Sequence, residues 1–245
     1  MAETNGREMN QSTIIEVRGL RVRYGANEII HGVDFHARDG EFVAIIGKSG
    51  CGKSTLIHAL AGFIERQGDV KIPSDIGVVF QNYAVFPWLT VKGNITFGVH
   101  AVNGLQKEDL SARLLEMTGL SADASKYPGE LSGGQAQRVA LARAIAPNPE
   151  VLLMDEPFGS LDMYTREKMQ SWLLDIWEKQ RKTVLFITHN VEEALFLADR
   201  IIVFGPGQIF GEFQVSFSRP RLNELKFTPG FIELKRQVVG AMERN

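Results

Sequence analysis

Residues 47–55, Gly47-Lys48-Ser49-Gly50-Cys51-Gly52-Lys53-Ser54-Thr55, could hold a row of phosphates. They fit G-x-x-x-x-G-K-[ST]. The glycines let the backbone curl without Cβ clashes, so successive N–H groups can converge on one anion. A helix starting beneath that loop turns its unpaired N–H groups and positive dipole end toward negative charge. Lys53 supplies a mobile cation for β- and γ-phosphates, and the Ser54 hydroxyl suits Mg²⁺. The loop therefore predicts nucleotide binding by residues 47–55.

Two further runs carry chemistry. Val151-Leu152-Leu153-Met154-Asp155-Glu156 is an apolar strand ending in two carboxylates. A buried strand that delivers Asp155 beside the phosphate loop can hold Mg²⁺, usually through its waters. Glu156 would then stand where a general base polarises an attacking water. In Leu131-Ser132-Gly133-Gly134-Gln135, Ser132 suits a helix N-cap, and the glycines leave backbone N–H groups accessible. That is a second phosphate-binding helix terminus in a chain with one nucleotide loop. The physical solution is a dimer in which each copy offers this terminus to the ATP held by the other.

These residues need elements to position them. Phe42–Ile46 leads into the phosphate loop as a buried strand, and Thr55–Ala61 leads out as a helix. Residues 13–17 and 28–35 read as strands, and residues 76–80 as another. Between about 88 and 147 the character turns helical, as in an inserted subdomain. One helix places Leu110, Leu114 and Met117 on one face before Gly119; another runs from Ser132 to about Ala146, before Pro147 and Pro149. Strands return at 151–154, 183–187 and 201–204, with a long helix carrying Met169, Trp172, Leu173, Ile176 and Trp177. Strands alternating with helices imply a largely parallel α/β sheet. Phe231, Leu234, Val238, Val239 and Met242 mark a terminal amphipathic helix, and residues 1–11 read as a disordered tail.

A chain of 245 residues with 44% hydrophobic and 23% charged residues is ordinary for a globular protein. A net charge of -2 argues against electrostatically driven nucleic-acid binding. Cys51 is the only cysteine, so no internal disulfide forms. Alkylation of its thiol, inside the phosphate loop, is expected to block ATP, and ATP to protect it. No apolar stretch approaches the roughly 20 residues that span a bilayer, and the polar N-terminus lacks a secretory h-region, which points to the cytoplasm.

Taken together, residues 13–220 resemble the ATP-binding-cassette ATPases. Residues 47–55 match the Walker A loop, Leu131 to Gln135 the signature motif, continuing through Gln137-Arg138, and Val151 to Glu156 Walker B. The resemblance implies that Tyr24 stacks on adenine and that Gln81 senses Mg²⁺ and the attacking water from the Q-loop. It further implies that Asp162 of the D-loop, Ser160-Leu161-Asp162, communicates across the dimer and that His189 contacts the γ-phosphate. The implied fold is a P-loop core with a parallel sheet, an antiparallel β region and a helical insert: an ATPase domain over 12–221 and a helical extension over 222–245. The phosphate loop and the signature lie about 80 residues apart without sustained heptads, unlike DNA-maintenance relatives. A transporter subunit working at the cytoplasmic face through separate permease subunits, with an extracytoplasmic solute-binding protein, is the leading reading. A soluble ATPase that remodels a protein or nucleic-acid complex is the alternative. Aromatic residues in Phe80–Val91 suit a groove that docks a membrane partner. The FP-W-L-T run, residues 155–159 and Arg219-Pro220-Arg221 look like the nitrate/sulfonate/taurine importer group.

Overall fold

The computed structural model describes residues 12–99 and 104–244; the expected tail, residues 1–11, lies outside them. Strands β1 (Thr13–Tyr24) and β2 (Asn27–Arg38) form a hairpin, to which β4 (Gln67–Lys71) adds antiparallel on the other side of β1. Both hairpin strands are much longer than the apolar runs suggest. In β1 the buried residues are Ile15, Val17, Leu20 and Val22, and the register shifts between Val17 and Leu20. Gly19, at φ +59°, sits in that bulge. An inserted residue resets the inside-outside alternation, so a period of two is lost halfway along the strand.

The main sheet has six strands in the order β5-β6-β7-β3-β8-β9. These are β3 (Phe42–Ile46), β5 (Ile76–Val79), β6 (Val151–Asp155), β7 (Thr183–Thr188), β8 (Arg200–Phe204) and β9 (Ile209–Gln214). All pairings are parallel except β8 with β9. The central strands are buried throughout because both faces are covered, which gives continuous apolar runs. Phe42, Ala44 and Ile46 of β3 enter one hydrophobic core, whereas Val43 and Ile45 enter the other.

The second of these cores is closed by α1 (Lys53–Leu60) and the inner face of the antiparallel sheet. The first is closed by α4 (Gly133–Ile145), α5 (Met163–Gln180), α6 (Val191–Leu197) and α7 (Pro229–Glu243). Met169, Trp172, Leu173, Ile176 and Trp177 of α5 are all buried there, as their spacing predicts. Phe231 and Val238 of α7 join the same core, each burial worth roughly 1.5–3 kcal/mol. Between β5 and β6 the chain is helical: α2 (Val91–Thr96), α3 (Gly104–Met117) and α4. Leu114 is buried, with Leu110 and Met117 packed against the core, and Gly119 follows at φ +65°. Among the described residues no helix is long and apolar enough to cross a membrane.

Candidate nucleotide site

The phosphate loop follows β3 directly and delivers the N-terminus of α1. Gly52 caps that helix at φ 105°, a conformation that strains any residue with a Cβ. Gly47 is required for a different reason: a Cβ there would stand 2.0 Å from the Phe204 carbonyl oxygen. The Lys53 ammonium is 6% exposed and donates to the carbonyls of Gly47 (2.9 Å) and Lys48 (2.8 Å). It is thereby held inside the curl where the loop amides converge. Ser49, Gly50, Gly52, Lys53, Ser54 and Thr55 share a cavity of about 320 Å³ with Tyr24, Ile29, Gln81 and Glu156. Tyr24, half exposed, stands at that cavity as an aromatic wall.

Behind the loop, Asp155 ends β6 almost fully buried. Burial pushes its carboxyl up, a hydrogen bond from Ser54 opposes this, and the neighbouring Glu156 charge adds to the rise. Its Oδ1 has no hydrogen-bond partner. A buried carboxylate oxygen left open beside a serine hydroxyl suits a hard divalent cation. Among the described residues no group of three or more His, Cys, Asp or Glu could hold a metal. A cation here would therefore need oxygens from phosphates and water.

Glu156 turns out of the strand with φ 46°, in the left-handed region. Its N–H donates to Ile187 O (3.0 Å), and its Oε2 accepts from His189 Nδ1 at 3.1 Å. The two polar groups that the sequence assigns to different tasks are thus one hydrogen-bonded pair. His189 itself is exposed.

Ser132, Gly133, Gly134 and Gln135 open α4 at a distance from this cavity; none of them lines it. Ser132 Oγ accepts from Gln135 N (3.2 Å) and Gln135 Oε1 accepts from Ser132 N (2.8 Å), a capping box. The Gln135 amide also donates to Asp123 (2.8 Å), so its side chain is engaged within its own chain. The Ser132–Gly133 corner is exposed. Asp162 is the N-cap of α5, its Oδ1 accepting from Thr165 N (3.0 Å), and that bond holds its carboxyl below the usual range.

Residues 30–159 match the ABC transporter family. The chain belongs to the ABC transporter ATPases. It is 41% identical over 242 residues to an aliphatic sulfonates import ATP-binding protein of Nocardia farcinica, covering 97% of this chain and 94% of that protein. A taurine import ATP-binding protein of Escherichia coli strain K12 is 35% identical, over 92% of this chain and 96% of its own. A bicarbonate transport ATP-binding protein of Synechocystis is 45% identical over 80% and 76%. Among solved structures, a dimeric ATP-binding cassette in a post-hydrolysis state with ADP and Pi superposes with a TM-score of 0.76. It is 30% identical to this chain, covering 83% of it and 100% of its own length. The present chain is accordingly an ATP-binding, ATP-hydrolysing transporter subunit.

Several side chains that organise this ABC ATPase were not singled out as site residues from sequence. Gln137 bridges Glu156 and Ser160. Thr188 donates to the buried Glu193 (2.7 Å), which also faces Arg166 at 3.6 Å. Gln137 reads from sequence only as a continuation of the signature run, and Thr188, Glu193 and Arg166 lie outside any phosphate-binding pattern.

Proposed function

We propose that this ABC ATPase works as a homodimer driving import through separate membrane subunits, for a small solute bearing an anionic group, of the sulfonate, taurine or bicarbonate kind. One observation carries the dimer: the capped helix terminus at Ser132–Gly134, exposed at Ser132 and Gly133, stands outside its own chain's phosphate cavity. A second copy placed head to tail would bring it to the phosphates. In that arrangement Tyr24 stacks on the base, and the amides of residues 47–55 with Lys53 hold the phosphates. Ser132, Gly133 and Gly134 close over them from the partner.

Ser54, Asp155 and Gln81 would hold Mg²⁺, directly or through water, together with phosphate oxygens. That ion supplies neutralising charge for the phosphates as the bond breaks. Glu156 accepts the proton of the attacking water, its carboxylate oriented by the bond from His189 Nδ1. Asp162, at the tip of α5, faces the twofold interface.

The docking surface for a permease lies beside Gln81. Phe86 packs on Phe97 (ring centroids 4.5 Å apart) and Trp88, while Arg143 lies over the Phe86 ring at 4.8 Å. Asn94, fully buried, accepts from Phe86 N and donates to the carbonyls of Phe86, Leu89 and Thr90. The loop is thus rigid, yet Trp88 is 67% and Phe97 52% exposed. Rigid aromatics with open faces are what a partner helix binds. Residues 12–221, with the helical subdomain at about 88–147, would form the ATPase domain, and 222–245 a helical extension. The complex would sit at the cytoplasmic face of the membrane, supplied by a solute-binding protein on the far side.

Glu156→Gln tests the core of this reading. With ATP and Mg²⁺ it should elute as a stable dimer that barely hydrolyses ATP, and from cells it should copurify with an integral membrane protein in detergent. A variant that stays monomeric with ATP would refute the sandwich, and one that brings down no membrane protein would favour a soluble remodelling ATPase.

A further inference from the structure

We infer that Gln137 is a positioning residue for hydrolysis, a buried amide strut by which the helical insert fixes the backbone of the general base. The inference rests on Glu156 being that base. Gln137 lies near the start of α4 and is 1% exposed. Its Nε2 donates to the Glu156 carbonyl at 3.0 Å. Its Oε1 accepts from Ser160 N at 3.1 Å and from Ser160 Oγ at 2.6 Å. This set of partners fixes the amide in one sense, since a flip would oppose donor to donor and acceptor to acceptor. One side chain therefore ties the residue before Pro157 to the loop that leads into Asp162.

What it holds is unusual. Glu156 is a non-glycine residue with φ 46°, a conformation that persists only where the surroundings enforce it. Three hydrogen bonds do so. Its N–H donates to Ile187 O on β7, and its carbonyl accepts from Gly159 N within the same turn (3.1 Å) and from Gln137. The first two come from the sheet and the turn; Gln137 is the one that comes from the helical insert. Any rotation of α4 against the sheet is thereby felt at the peptide that aims the Glu156 carboxylate. It is felt at Ser160 as well, two residues before Asp162. This link is separate from Gln81, which lines the same cavity as Glu156.

The substitutions Gln137→Met and Gln137→Glu separate the bonds. The first removes all three; the second, assayed at alkaline pH where its carboxyl is ionised, keeps an acceptor for Ser160 but has no proton to donate to Glu156. Both should lower kcat by about tenfold or more, the cost expected when a catalytic group drifts by a fraction of an ångström to one ångström. The dissociation constant for Mg-ATP should stay near wild type, while the thermal midpoint falls because buried polar groups lose their partners. Hydrogen exchange on the nucleotide-free protein adds a readout independent of turnover: the Ser160 amide should lose protection in Gln137→Met and keep it in Gln137→Glu. A kcat within twofold of wild type in both would overturn the inference, as would a parallel loss of ATP affinity. Should both variants fail to fold, Ser160→Ala removes the 2.6 Å bond from the loop side and should lower kcat severalfold; an unchanged kcat there would equally overturn it. Glu156→Gln belongs in the same series. If that variant turns over ATP normally, the assignment of Glu156 has failed, irrespective of how Gln137 behaves.

Discussion

Cys51 packs its thiol against the Phe204 carbonyl, Sγ to O 3.5 Å, and is 8% exposed. It lines a cavity of about 230 Å³ together with residues 47–50 of the phosphate loop, residues 204–206 and Met242. Sequence places this thiol in the loop, where alkylation should block ATP and ATP should protect. The structure buries the side chain, with Sγ 3.8 Å from the Lys53 ammonium. Native Cys51 should therefore react with iodoacetamide about tenfold or more slowly than the urea-unfolded chain. ATP should change that native rate little. Mass spectrometry of timed samples decides, and rapid native labelling abolished by ATP would restore the simpler expectation. The wider lesson at this scale is that motifs disclose backbone cradles and charged termini, because spacing along the chain dictates them. The Glu156–His189 pair spans 33 residues and the Gln137–Glu156 bond 19, so neither could be read without knowing how the strands align.

The same division holds for elements. Strands β3, β6 and β7 are legible because burial on two faces forces unbroken apolar runs, whereas β4 exposes most of its residues and carries no such run. Helix α6, of seven residues, is too short for periodicity and exists through its ends. Asn190 caps its N-terminus, accepting from Glu192 N and Glu193 N. The buried Arg221 guanidinium donates to the carbonyls of Leu195, Phe196 and Ala198 at the other end. That gives Arg219-Pro220-Arg221, noticed in the sequence as an importer-like run, a structural task. Glu193 joins α6 to the end of β7 through Thr188, and burial pushes its carboxyl above the ordinary value of 4.5, with Thr188 and Arg166 partly opposing. The folded chain then binds a proton that the unfolded chain has released. Stability contributed at this site is full below pH 4.5 and falls as pH rises through the higher folded value, then levels. Urea midpoints of wild type and Glu193→Gln should thus move in favour of the variant between pH 4.5 and neutrality; a difference independent of pH would mean that Glu193 titrates alike in both states.

For the whole molecule, the placement of two half-sites on opposite parts of one chain makes a prediction that no single variant can make. In the head-to-tail dimer proposed above, the loop of residues 47–55 and the terminus at Ser132–Gly134 would each be needed for hydrolysis and would come from different copies. Lys53→Ala removes the phosphate cation from one, and Ser132→Arg places a bulky side chain on the exposed corner of the other. Each variant alone should be nearly inactive. Mixed in equal amounts with ATP and Mg²⁺, half of the dimers should contain one of each. In these the intact loop of the Ser132→Arg copy meets the intact terminus of the Lys53→Ala copy, while both defects fall in the second site. One whole site per mixed dimer should then occlude ATP, read by filter binding of labelled nucleotide, and activity should rise above that of either variant alone. A molecule that completed its site within one chain would give no recovery on mixing, because each copy would carry its own lesion. Recovery therefore depends on the exchange of elements between copies, and its absence in well-folded variants that still exchange subunits would return the signature helix to its own chain.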